Sequence, residues 1–333
     1  MKYLLRFALA LAAALVPLVA AEVFLRGHRS FNVDAAGAEL NLFRGDQTRV
    51  REVYTLDATL GFRPVLPSSV YGEHGTLRND YPDEPPAGKR RVLFLGDSVV
   101  FRGRVIAALR AVYGDERYEF WNGGVSAYNT AQEVEYFRRF SGRSRPHEVV
   151  LLFHLNDFQS TPIAFEDAQG RLQVIAPSRH PSRIVPWLFR WSHLYRYYVD
   201  ASRTPDESDA EADIRAHLVE LRDLCASREL PLTVLVLPHL APLPEWTDVH
   251  HRRHAWILAT LRELEIRHFP LLEPMQRALA DGRAIQETPG DHDHPNDEVS
   301  GYFARHLEEQ GFLRSEPSMG RALDGDESAN AQR

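Results

Sequence analysis

The segment VLFLGDSVVFRG, residues 92–103, is an apolar run that stops at Gly-Asp-Ser and resumes with helical spacing. Val92 to Leu95, apolar throughout and bounded by basic residues and a glycine, suit a strand buried on both faces. Gly96 permits a sharp turn. Val99, Val105, Ile106 and Leu109 then recur at roughly helical spacing up to Gly114, which places the polar triplet on a strand-to-helix turn. A helix N-terminus offers free N–H groups and a partial positive charge to an anion formed there, so Ser98 is a candidate nucleophile.

Outward from this segment the same rhythm repeats. Strand candidates occur at 118–121, 149–154, 232–237 and 268–272, and helical patterns lie between them at about 104–113, 130–140, 210–227 and 249–266. Strand and helix in alternation predict a parallel sheet covered by helices. Residues 27–90 read as a lead-in that wraps the core, with short strand candidates such as Val50 to Tyr54, and PDEPPAGKRR (82–91) as a breaker-rich linker into the first core strand. Residues 158–207 carry aromatic clusters at Trp187–Trp191 and Tyr195–Tyr198. They interrupt the alternation as an insertion over the active edge of the sheet, where the aromatics serve packing or substrate binding. The polar tail 313–333 is expected to be disordered.

Composition narrows the partners. A chain of 333 residues with 44% hydrophobic content can bury a full core, and a net charge of -7 with interspersed signs forms no basic stripe for nucleic acid. The single cysteine, Cys225, excludes an internal disulfide and aligns with Ile214, Leu218 and Leu221 on one helical face, where core packing is expected. Lys2 and Arg6 precede an uncharged apolar run from Phe7 to Ala21. Residues 1–26 are therefore a signal peptide or a membrane anchor, the run being long for the first and short of the ~20 residues of the second. The bulk of the chain is expected in the cell envelope on the non-cytoplasmic, periplasm-like side, tethered to the membrane or secreted.

A serine hydroxyl needs a base, and the base an orienting group. In DHDHPNDEVSGYF, Asp291 and His294 share a loop before a helix that starts near Asp297. A carboxylate three residues ahead of an imidazole can accept its Nδ1–H and leave Nε2 for Ser98, provided this loop lies at the carboxyl ends of the strands. Oxyanion donors could come from the Ser98 N–H, from Gly124 in WNGGVSAYNT after the second strand, and from Asn156 in FHLND after the third.

These blocks resemble the GDSL-like SGNH hydrolase family: Gly96-Asp97-Ser98, Asn122-Gly123-Gly124, Asn156-Asp157 and Asp291-x-x-His294 stand in the family's order across about residues 90–312. The resemblance implies a flavodoxin-like three-layer α/β/α sandwich with a five-stranded parallel sheet over 91–312. It also implies Ser98 as nucleophile, His294 as base, Asp291 as its orienter, and Ser98, Gly124 and Asn156 as the oxyanion hole, with no cofactor or metal. LGFRP at 60–64 and the N-terminal segment look like the lead-in of a membrane-anchored bacterial branch. Two positions depart from the pattern: His154 stands where the third block has glycine, and Gly103 comes one residue late.

Rival sites are weaker. Ser126 in GVSAY lacks the second glycine of a nucleophile elbow, because Tyr128 takes its place. Asp291, His292, Asp293 and His294 could bind a metal, but no further ligand cluster is apparent. His250 and His254, one helical turn apart with Arg252 and Arg253 between them, suit a solvated face. Asp97 and Asp157 are expected to fix their turns, and Asn296 to cap the last helix. The expected activity is a serine esterase removing acyl groups, acetyl among the candidates, from a cell-envelope glycan or another small acylated substrate. Two alternatives share the residues: an O-acyltransferase acting on a polysaccharide, and a glycan-binding module without turnover.

Overall fold

Val92 and Phe94 face one side of the first core strand, Leu93 and Leu95 the other, and all four are buried. Two-sided burial requires helices on both faces of the sheet. The computed structural model describes residues 2–28, 46–159, 161, 163–166, 170–175, 186–201 and 207–313. Its elements are α1 (Lys2–His28), α2 (Gln47–Val53), a hairpin of β1 (Tyr54–Asp57) and β2 (Gly61–Pro64), then β3 (Arg90–Leu95), α3 (Ser98–Arg102), α4 (Arg104–Tyr113), β4 (Tyr118–Asn122), α5 (Thr130–Arg139) and β5 (Glu148–Phe153). There follow a hairpin of β6 (Ile163–Glu166) and β7 (Leu172–Ile175), α6 (Pro186–Trp191), α7 (His193–Ala201), α8 (Glu207–Ser227), β8 (Leu232–Val236), α9 (Asp248–Glu263), β9 (Arg267–Pro270), α10 (Leu272–Ala280) and α11 (Asp297–Glu309).

The five core strands pair in the order β4-β3-β5-β8-β9, all parallel. This is the flavodoxin-like order, and its switch point lies between β3 and β5. Helices α4, α10 and α11 pack Val105, Leu109, Met275 and Phe303 on the face of Phe94 and Leu152. Helices α5, α8 and α9 pack Phe137, Leu218, Cys225 and Ile257 on the face of Leu151 and Val234. Cys225 is a core residue, its thiol pushed up to about 12 by burial.

Differences from the sequence reading have local causes. Val50 to Val53 continue a helix rather than start a strand, because the Asp46 side chain caps it by accepting from the Thr48 N–H, and pairing begins only at Tyr54. The helical pattern after Gly96 is broken at Gly103, whose φ of +73° ends α3 and starts α4. β9 stops at Pro270 and α10 begins at Leu272, where the sequence showed no helix. Pro274 falls in its first turn, where no N–H is needed. The described part of the insertion adds no strand to the main sheet. Leu172 and Val174 pack instead with Val50, Tyr54 and Phe62 of the lead-in. The tail from 314 on lies outside the described residues.

At the N-terminus, Glu22 of α1 accepts from the His193 N–H (2.9 Å), the Leu194 N–H (2.8 Å) and the Ser192 hydroxyl (2.9 Å), so a carboxylate from α1 caps α7. Arg26 Nη2 donates to the Trp191 carbonyl at 2.7 Å. In α1 the described side chains are Tyr3, Arg6 and residues 13–26. Among the described residues no helix is long and apolar enough to cross a membrane.

The linker before β3 is tied down by a buried cation. The Arg91 side chain is fully buried; it donates to Glu119 Oε2 (2.7 Å) and to the carbonyls of Pro82 (2.6 Å), Asp83 (2.9 Å) and Ser144 (2.5 Å), and it lies over the Trp121 ring at 4.2 Å. Arg91→Met is expected to lower unfolding free energy by about 3–5 kcal/mol, because Glu119 keeps its charge without its partner. Urea unfolding followed by tryptophan fluorescence measures this; a loss below about 1 kcal/mol would contradict it.

Candidate active site

Three of the four groups of chemistry-bearing residues sit just beyond the carboxyl ends of core strands, and the fourth, Asp291 and His294, lies in the loop between α10 and α11. Asp97 and Ser98 follow β3, Asn122 to Gly124 follow β4, and His154 to Asp157 follow β5. Two glycines allow the approach. A Cβ on Gly96 would meet Val100 Cγ2 at 2.3 Å, and one on Gly124 would meet the Phe101 nitrogen at 2.4 Å and the Val100 carbonyl carbon at 2.8 Å. The loop after β4 thus lies against the backbone of α3, the turn that carries Ser98.

Ser98 is 1% exposed and His294 2%. Ser98 Oγ lies 2.9 Å from His294 Nε2, and His294 Nδ1 lies 2.9 Å from each oxygen of Asp291. The Asp291 carboxylate also accepts the backbone N–H groups of Asp293 (3.2 Å) and His294 (3.1 Å). Burial pushes its pKa up, but the bond from His294 and these N–H donors outweigh it, and the net shift is downward. With the carboxylate on Nδ1, the imidazole turns Nε2 toward the hydroxyl.

The loop holding His294 is fastened to α3 and α4 by charge. Glu287 accepts from Arg102 Nη1 (2.5 Å) and Arg104 Nη2 (2.8 Å), Arg104 Nη1 also donates to Asp297 (2.7 Å), and Arg102 stands 3.8 Å from Asp291. Glu287 in turn donates its N–H to the His294 carbonyl at 2.9 Å. Asn296 accepts the Val299 N–H at 2.9 Å and caps α11.

Asn156 and Gly124 lie at the site but are differently engaged. Asn156 Nδ2 donates one N–H to Asp97 Oδ2 at 2.6 Å and has a second to give. The Gly124 N–H donates to Asn122 Oδ1 at 2.9 Å, so this expected oxyanion donor is already occupied by a neighbouring side chain. The Ser98 N–H makes no hydrogen bond among the described residues. Asp97 Oδ1 accepts the Val99 N–H at 2.9 Å. Behind it Asp157 accepts from the Thr130 hydroxyl at 3.2 Å, and Glu133 is fully enclosed. Burial, with the nearby carboxylates, pushes both acids well up.

Other candidates separate from this centre. Ser126 is buried and bonds no histidine among the described residues. His250 and His254 are not on a solvated face: His254 is 8% exposed, and both rings pack on Trp246, at 6.4 and 5.5 Å. The flat apolar faces of imidazole allow this when the ring is neutral, and burial lowers the pKa of both. Among the described residues no group of three or more His, Cys, Asp and Glu is arranged to hold a metal ion. The clamp of Arg102 and Arg104 on Glu287 escaped the sequence reading, which offers no signal linking charges so far apart in the chain.

No protein-family model matches the chain, and no curated protein matches its sequence. Among solved structures it is similar to LAE5, an alpha/beta hydrolase enzyme from the metagenome of Lake Arreo, Spain, at 15% identity and a TM-score of 0.46, over 69% of this chain and 99% of that one. It is also similar to Axe2, an acetylxylan esterase from Geobacillus stearothermophilus, at 14% identity and a TM-score of 0.44, over 68% of this chain and 96% of that one.

The hydrogen bonds from Arg104, then those from Arg102, hold Glu287 at about 2 rather than its ordinary 4.5. A depressed carboxyl stabilises the fold above its unfolded pKa, and that contribution is lost as pH falls through the folded value. Between pH 4.5 and 2 the urea midpoint of the native protein should therefore fall more steeply than that of Glu287→Gln. Parallel curves would show that the clamp carries no linkage.

Proposed function

We propose that the protein is a serine hydrolase acting on acyl esters, with Ser98 as nucleophile, His294 as general base and Asp291 as its orienting carboxylate. The observation that carries this reading is the continuous hydrogen-bonded chain from the Ser98 hydroxyl through both ring nitrogens of His294 to Asp291. In the first half-reaction His294 Nε2 takes the hydroxyl proton as Ser98 Oγ attacks the ester carbonyl. The tetrahedral oxyanion is met by the Ser98 N–H and by the second N–H of Asn156. Gly124 can join only if Asn122 releases its N–H. Collapse breaks the bond to the alcohol oxygen, which receives the proton from His294, and the acyl group stays on Ser98. Water then gives a proton to His294, attacks the acyl-serine and releases the carboxylic acid, returning the proton to Ser98.

The four SGNH-like blocks support assignment to that group of esterases, and the apolar N-terminal run behind Lys2 and Arg6 supports a location on the outer side of a membrane, tethered or released. A cell-envelope substrate follows from that location.

Assayed on p-nitrophenyl acetate, Ser98→Ala should reduce kcat by at least about 10³-fold, as expected when the nucleophile of a triad is removed. A fluorophosphonate probe should label the native chain and not the variant. Undiminished turnover by Ser98→Ala would end the proposal.

A further inference from the structure

Beside the Ser98–His294 pair, histidines gather that the proposed reaction does not use. His239, in the loop after β8, stacks on His250 of α9 with 3.9 Å between ring centroids and 25° between planes, and it stands 4.8 Å from His292. His292 belongs to the same loop as Asp291 and His294, and its carbonyl accepts the Leu240 N–H at 2.9 Å, which fixes the stack against the catalytic loop. Trp246 backs the group, 6.2 Å from His239. Beneath it lies His154, 1% exposed, with neither ring nitrogen hydrogen-bonded; its Nε2 faces Asp293 Oδ1 at 3.7 Å. His239, His250, His292 and Asp293 are half-buried and reach solvent.

The chemistry of this surface excludes several ligands. Imidazole lone pairs lie in the ring plane, so rings stacked face to face do not converge on one metal ion. Burial and the neighbouring histidines push His239 down to about 4, and burial with the nearby Arg253 lowers His250. Both are neutral at pH 7, and with the Asp293 carboxylate at the rim they give an anion no counter-charge. A purely apolar ligand would cover the half-buried Asp293 without giving its carboxylate a partner. What remains is a neutral ligand with C–H faces to lie on the rings and hydroxyls at its edge to bond ring nitrogens and Asp293.

We infer that the His239–His250–His292 stack, with Asp293 at its rim and His154 beneath, is a subsite for a sugar ring, and that this ring is the alcohol side of the ester cleaved at Ser98. The sugar site rests on its own geometry; only its role as the alcohol side rests on the esterase reading. The departure of His154 from the glycine of the third block then has a use, since it lays a polar floor under the subsite.

The test separates binding from turnover. Full-chain Ser98→Ala is titrated by calorimetry with methyl glucoside 6-acetate, which carries one acetyl ester and keeps its ring hydroxyls free, and the same titration is made with His239→Phe or His250→Phe added. Phenylalanine keeps a ring face and removes the ring nitrogens, and thermal unfolding checks that each variant is folded. Binding should weaken about tenfold, the effect of losing one or two hydrogen bonds. In the chain with Ser98 intact, the ratio of kcat/KM for methyl glucoside 6-acetate to that for p-nitrophenyl acetate should fall by about the same factor. Unchanged affinity together with an unchanged ratio in both folded variants would overturn the subsite, as would a Ser98→Ala protein that binds no sugar ester while the native chain cleaves p-nitrophenyl acetate. If neither ester is turned over but binding weakens as stated, the sugar site stands and the esterase reading fails.

Discussion

The hydrogen bond between Ser98 Oγ and His294 Nε2 joins the end of the first core strand to the last loop before α11, and much of the specialised packing bears on keeping those atoms 2.9 Å apart. One side of the contact is set by backbone: Gly124 has no Cβ, so the loop after β4 can lie on α3 and fix where the serine points. The other side is set by charge and packing. Arg102 and Arg104 hold Glu287, Glu287 holds the His294 carbonyl, and α11 lays Phe303 and Leu307 into the same apolar layer as Leu109 of α4. Each partly exposed ion pair is worth little alone. Set on a short loop that also carries His294, several together restrict the separation of its imidazole from the Ser98 hydroxyl.

Asp97 connects this centre to what lies behind it. Its carboxylate holds the Val99 N–H with one oxygen and Asn156 with the other, so the turn carrying Ser98 and the side-chain amide of Asn156 are positioned by the same group. Asp157 and Glu133 stand behind it, and burial, together with the nearby carboxylates, raises the pKa of both. The stack around His239 follows the same logic on the solvent side. Neutral imidazoles can lie face to face, whereas protonated ones would repel one another.

The sheet was legible because its strands are short apolar runs with turns after them, and a strand buried on both faces has no other common explanation in a chain of this composition. Ser98, Asp291 and His294 were legible because local spacing already restricts what a Gly-Asp-Ser turn and an Asp-x-x-His loop can do. Interactions between distant, ordinary residues were not. Glu287 is one acid among many until the fold brings two arginines to it, and the engagement of the Gly124 N–H by Asn122 depends on a side-chain rotation that periodicity does not encode. His250 and His254 read as solvated because their neighbours in sequence are arginines, while Trp246 and His239 turn that part of α9 inward. At α10 the strand candidate 268–272 ran into what is the start of a helix, and Pro274 fits that helix because it falls in the first turn.

Arg91 bears on where this molecule can be cut. The alternation of strands and helices invites a boundary just before β3, as though everything upstream were an appendage. Yet the guanidinium at the mouth of that strand is satisfied by carbonyls of Pro82 and Asp83, which such a boundary would remove. A truncated chain would lose two of the acceptors of that cation together with His74 and Tyr81, which pack on the Trp121 ring beside it, and would open a buried ion pair and an apolar ring face to water. The smallest autonomous unit of this protein therefore begins upstream of Pro82, and a segment that contributes no strand to the sheet is still an obligate part of its interior.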